Sequence, residues 1–184
     1  MMTALPRDER YSGVAILFHW TIAGLVIANL AIGLLQGTVF RGIGWAIPLH
    51  KSFGITVLVL TLARIGWRLT HRPPPLPTDM PRLEKGVAHA GHWALYGLML
   101  VMPLTGWMLS SAGRKYPLSW FGLVDVPFLP VSKGAGDWAV NAHGLFGWLM
   151  LALVVGHIAA ALRHHLILKD HILTRMAPAL DRAK

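Results

Sequence analysis

The sequence has no cysteine and few acidic side chains, 8 against 17 lysines and arginines in 184 residues. Without cysteine there can be no disulfide, no thiolate zinc site, no cysteine-held iron–sulfur cluster and no haem attached through a Cys-x-x-Cys-His motif. Charge is scarce altogether: 14% of residues are charged and 54% are hydrophobic, whereas a soluble domain carries about 25% charged residues. An ordinary soluble domain is thereby excluded. The net charge of +9 does not point to nucleic acid, because the basic residues fall in short clusters between long uncharged runs.

Those runs are what the sequence does have. Residues 11–40, 86–113 and 138–162 contain no Asp, Glu, Lys or Arg, and each exceeds the roughly 20 residues that cross a bilayer as a helix. A fourth stretch is less clean, with 12 uncharged residues between Lys51 and Arg64. It still reads as a span, since Pro48 suits a first helical turn and Lys51, Arg64 and Arg68 lie near its ends, where long basic side chains reach the headgroups. The expected fold is an all-α, integral membrane four-helix bundle. It forms one domain over 1–184, with spans at about 13–36, 48–69, 86–110 and 138–162.

Charge placement sets the expected orientation. With four spans, twelve of the basic residues fall on the side of the termini and five (Arg41, Lys51, Arg114, Lys115 and Lys133) on the other. The positive-inside rule then puts both termini in the cytoplasm. Five prolines between Arg72 and Lys85 predict an extended inner linker. The outer connection, 110–137, carries Trp120, Phe121, Leu123, Phe128 and Leu129. It is too apolar for a free loop, and is expected to lie on the membrane face or cap the bundle.

Ten histidines in so apolar a chain demand a reason. His19 and His157 lie about two turns from the inner ends of the first and fourth spans, and His50 and His143 at the outer ends of the second and fourth. His143 and His157 are 14 residues apart, so on a helix they face within about 40° of each other and are separated by about 21 Å. One helix thus offers a histidine to each side of the membrane, each level with a histidine from another helix. Two stacked cofactors with paired axial imidazoles fit this pattern, and haem b, apolar and non-covalently bound, is the natural candidate. One turn beyond the four histidines stand Ala23, Gly54, Gly147 and Ala161, small enough for a flat macrocycle to pass, although small residues also serve ordinary helix packing. His89 and His92 leave the inner pairing open: either is an alternative partner for His157, and their i, i+3 spacing is also compatible with zinc.

The motifs that carry these histidines resemble the bacterial cytochrome b561 family of four-helix, di-haem membrane cytochromes. They are Phe18-His19-Trp20, Leu49-His50-Lys51-Ser52-Phe53-Gly54, Ala88-His89-Ala90-Gly91-His92, Asn141-Ala142-His143, Gly156-His157 and His164-His165. The tail, Lys169-Asp170 to Arg175-Met176-Ala177-Pro178, completes the match. Length and tail most resemble the superoxide oxidase branch. The resemblance implies two haem b groups, on His19 with His157 and on His50 with His143, and implies ubiquinone as acceptor of electrons from superoxide. It leaves His89 and His92 outside the iron ligands. Charge and depth suggest Arg64 and Arg68 as propionate contacts, and Lys51, Arg114 and Lys115 as contacts for propionate or the anionic substrate. The alternative is an electron-transfer subunit linking a periplasmic redox protein to the quinone pool. Membrane lipid is the remaining expected partner; nucleic acid is not.

Overall fold

The computed structural model describes residues 10–78, 80–113 and 118–180. Four helices dominate it: α1 (Gly13–Leu35), α2 (Ala46–Thr70), α3 (Arg82–Gly113) and α4 (Lys133–Arg163). All four are long and apolar enough to cross a membrane. Their limits follow local chemistry. The Ser12 and Ser132 hydroxyls accept hydrogen bonds from Ala15 N and Ala135 N, capping α1 and α4. Pro48 falls in the first turn of α2, where its missing N–H costs nothing. The proline-rich linker ends at Pro81, and α3 begins at Arg82, four residues before the uncharged run.

The helices run up and down, α1 against α2, α2 against α3 and α3 against α4, with the α1–α4 seam the loosest. Large apolar side chains face outward: Leu17, Val59, Val101 and Trp148 are all exposed. In water this would be an aggregation surface, but in a bilayer it is the lipid-facing one. The interior is built from small and hydroxyl residues. Ala139, Ala142, Gly136 and Gly147 of α4 are buried, as are Ser52, Thr61, Thr105 and Ser111. Close approach of helices is what holds a bundle together where lipid is as apolar as leucine. Some of the helix hydroxyls return hydrogen bonds to their own backbone, as Thr56 does to Ser52 O and Ser111 to Trp107 O. Midway along the bundle Ile22, Val26, Val57, Tyr96, Met99 and Met150 form a packed apolar cluster.

The α3–α4 connection caps one end of the bundle. Ser119–Trp120 and Val124–Asp125 form a short antiparallel hairpin whose tip, Phe121 and Gly122, has positive φ. The hairpin is tied to α2 by Phe121 N donating to Ser52 Oγ (2.9 Å) and Trp120 Nε1 donating to Thr56 Oγ1 (3.0 Å). It is tied to α3 by Leu129 N to Ser111 Oγ (2.9 Å) and Trp107 Nε1 to Pro127 O (2.8 Å).

The opposite end is closed by the tail. After α4 the backbone widens into a π turn (His164–Leu168) and reverses at Lys169, whose φ is 55°. Buried His164 donates from Nδ1 to Asp170 Oδ2 (2.5 Å), and its Nε2 lies 3.4 Å from Glu84, which also holds Arg163 at 2.7 Å. Trp20 Nε1 donates to Met176 O, Tyr11 N to Arg175 O, and Arg175 to Pro75 O. Both ends of the described chain therefore meet at the same end of the bundle.

Candidate functional site

Position in the bundle is inherited from helix register. Four pairs of positions 14 residues apart fall on the inward stripes: 19 and 33 on α1, 50 and 64 on α2, 92 and 106 on α3, 143 and 157 on α4. They define two levels, called inner and outer after the expected orientation. The inner level holds His19, Arg64, His92 and His157; the outer holds Gly33, His50, Gly106 and His143.

At the outer level the rings of His50 and His143 face each other, centroids 6.0 Å apart and planes at 87°. Metal–imidazole bonds of about 2 Å, with about 1.2 Å from each nitrogen to its ring centre, separate two axial rings by about 6 Å. The remaining nitrogens are already engaged. His50 Nδ1 donates to Asn29 O (3.2 Å) and His143 Nδ1 to Met102 O (3.1 Å), with Thr105 Oγ1 also 3.1 Å from it. Each Nδ1 therefore carries the proton, and each Nε2 is left as a lone-pair donor, the form a metal-ligating histidine takes. Around the pair is a cavity of about 260 Å³, walled by all four helices and lined mainly by Val26, Leu30, Met99, Met102 and Gly33, Gly54, Gly106, Gly144 and Gly147. Lys51, Gln36 and Ser110 are its polar lining beside Asn29 and the two histidines. An apolar slot with opposed, pre-oriented imidazoles fits a flat tetrapyrrole iron cofactor.

At the inner level His19 and His157 have centroids 6.2 Å apart at 61°, again the axial separation. His92 also faces His157, at 5.6 Å and 67°. The pairing that the sequence leaves open is therefore open in the geometry too: α3 supplies a third imidazole. His89 is exposed and donates to Lys85 O (2.7 Å) instead. Arg64 and Arg68 stand over the ring of Tyr96 at 5.5 and 5.8 Å, a cation–π arrangement that holds two guanidinium groups at this level. Among the described residues, no hydrogen bond reaches the ring nitrogens of His19, His92 or His157, and no group of three or more His, Asp and Glu converges as a metal cluster.

Of the other expected contacts, Lys51 lines the outer cavity, while Arg114 and Lys115 lie outside the described residues. Gly54 and Gly147, one turn beyond outer histidines, line that cavity. Reasoning from the histidines alone misses Asn29, Met102, Thr105, Gly33 and Gly106. The signal for the two glycines was the same 14-residue step, taken from His19 and His92 to the outer level.

Comparison with known proteins agrees with this architecture. The profile of the prokaryotic cytochrome b561 family matches residues 10–179. Cytochrome b561 homolog 2 of Escherichia coli K12 is 39% identical over 173 residues, covering 91% of each chain. The probable superoxide oxidase CybB of Yersinia pestis is 34% identical over 174 residues, covering 92% of this chain and 97% of its own. Cytochrome b562 of Cereibacter sphaeroides is 29% identical over 185 residues. With four apolar helices and a family match across nearly its whole length, the chain belongs to the prokaryotic cytochrome b561 family, haem-binding, multi-pass electron-transfer proteins of the bacterial inner membrane.

Proposed function

We propose that the chain is a single-domain, di-haem b cytochrome that oxidises superoxide at the periplasmic face and reduces ubiquinone. The observation that carries the reading is the pair of histidine couples, 6.0 and 6.2 Å between ring centres, set four turns apart along α4. When bound, each haem supplies a one-electron ferric/ferrous couple. His50 and His143 would hold the outer haem, and His19 and His157 the inner one. Overall, two superoxide anions, one quinone and two protons give two dioxygen molecules and one quinol. Superoxide as donor is supported by the 34% identity to a probable superoxide oxidase.

The residues of the chain do the rest. Asn29 O and Met102 O fix the orientation and tautomer of the outer imidazoles. The glycines of the cavity leave room for the macrocycle. Arg64 and Arg68 bring positive charge to the inner level, suited to haem carboxylates. Lys51, Arg41 and Lys133 make the periplasmic end attractive to a small anion. Both termini lie in the cytoplasm on this reading.

A second reading, an electron-transfer subunit for a periplasmic redox protein, is favoured by the exposed apolar tip of the hairpin at Phe121, Leu123 and Val124. Stopped-flow mixing of the purified oxidised protein with superoxide, with and without ubiquinone, separates the two. Rapid haem reduction without a partner, reversed on adding quinone and slowed by salt, is the expected result. Haem that stays oxidised in superoxide but is reduced by a protein donor would sink the first reading.

A further inference from the structure

The two outer histidines are held by the same device, built twice. On α1, Asn29 O receives His50 Nδ1, and the residue four positions on is Gly33; on α3, Met102 O receives His143 Nδ1, and the residue four positions on is Gly106. In a helix the side chain at i+4 leans back over the turn that carries carbonyl i. Only glycine leaves that carbonyl open to a ring from a neighbouring helix. The fit is tight: a Cβ at Gly33 would lie 2.8 Å from His50 Cε1, and one at Gly106 would lie 3.1 Å from His143 Cε1. The inner level has no such socket among the described residues. It has Arg64 and Arg68 instead.

We infer that Gly33 and Gly106 are positioning residues that open backbone carbonyls to the outer histidines, and that this sets the outer haem at a lower reduction potential than the inner one. The inference rests on the two-haem reading above. A carbonyl that pulls on Nδ1–H gives the imidazole more anionic character and makes Nε2 a stronger donor. A stronger axial donor stabilises ferric over ferrous iron and lowers the potential. Positive charge does the opposite, favouring the reduced form, which carries one positive charge fewer, and the inner level has two guanidinium groups, Arg64 and Arg68, against the single Lys51 that lines the outer cavity. Both effects run the same way, so electrons entering at the outer level move inward downhill.

The test is a spectroelectrochemical titration of the purified holoprotein, comparing Gly33→Ala and Gly106→Ala with Gly24→Ala and Gly97→Ala. At the last two positions a Cβ meets nothing within 4 Å. Each socket variant should raise the midpoint of the lower-potential component and leave the higher one in place, with the double variant shifted further; the control variants should titrate as wild type. Unmoved midpoints in socket variants that keep full haem content, or a shift in the higher component, would overturn the inference. If the socket variants lose haem, the wild-type titration decides it. His143→Ala must remove the lower-potential component, and removal of the higher one refutes the proposal. A wild-type protein with one haem would instead overturn the reading beneath it.

Discussion

At the scale of single residues, the inner level poses the sharpest question, since His157 has two imidazoles within reach. If His19 is its partner, His92→Ala should retain both haems with unchanged six-coordinate spectra, and His19→Ala should disturb the inner haem. The reverse pattern in haem content and optical spectra would assign the ligand to α3. Tyr11 gives a pH prediction. Burial raises its phenol above the ordinary 10.0, opposed in part by the positive charges of Arg68, Arg64 and Arg175. A raised pKa means that the folded state holds the proton more tightly than the unfolded one, so this contribution is intact below pH 10 and lost as pH rises through the folded value. Thermal unfolding in detergent should show stability falling above pH 10, and Tyr11→Phe should flatten that fall. An equally steep decline in the variant would show that Tyr11 is not responsible.

At the scale of elements, α4 has the heaviest duty, presenting histidines to both levels while packing against α3 through small residues. A Cβ at Gly136 would run into the Ala112 methyl, so Gly136→Leu should prise the helix ends apart. The expected cost is about 1–3 kcal/mol, the usual range for overpacking a close contact, read as a lower thermal midpoint with haem spectra largely intact. An unchanged midpoint would mean that the α3–α4 contact yields without cost. These elements were legible in the sequence to unequal degrees. Three helices announce themselves as uncharged runs, and even α2, interrupted by Lys51 and Arg64, could be read from where its charges lie. The four axial candidates could be read as well, because a histidine in hydrocarbon is expensive and 14 residues is nearly four turns. The sockets were not legible, since a backbone carbonyl leaves no trace in a side-chain pattern; the 14-residue step from His19 and His92 marks Gly33 and Gly106 only as small inward-facing positions. The outer hairpin left two options, membrane face or cap. Only the hydrogen bonds from Phe121 N and Trp120 Nε1 to α2 show it as a cap.

For the whole molecule, the proposed chemistry depends on which end faces which compartment. The absence of cysteine makes this directly testable by single-cysteine labelling. Leu83 and Leu123 are 81% and 76% exposed and lie at opposite ends of the bundle. In intact cells a membrane-impermeant maleimide should label Leu123→Cys and spare Leu83→Cys; the opposite pattern would invert the orientation and place the sockets on the cytoplasmic side.

The pairing of four histidines into two axial couples is the central claim, and haem stoichiometry meets it most directly. Pyridine haemochrome analysis of the purified protein against its measured polypeptide concentration should give two haem b per chain, falling to about one in both His50→Ala and His19→Ala, because on the proposed reading each couple would hold one iron. A wild-type value of one haem per chain would contradict the account.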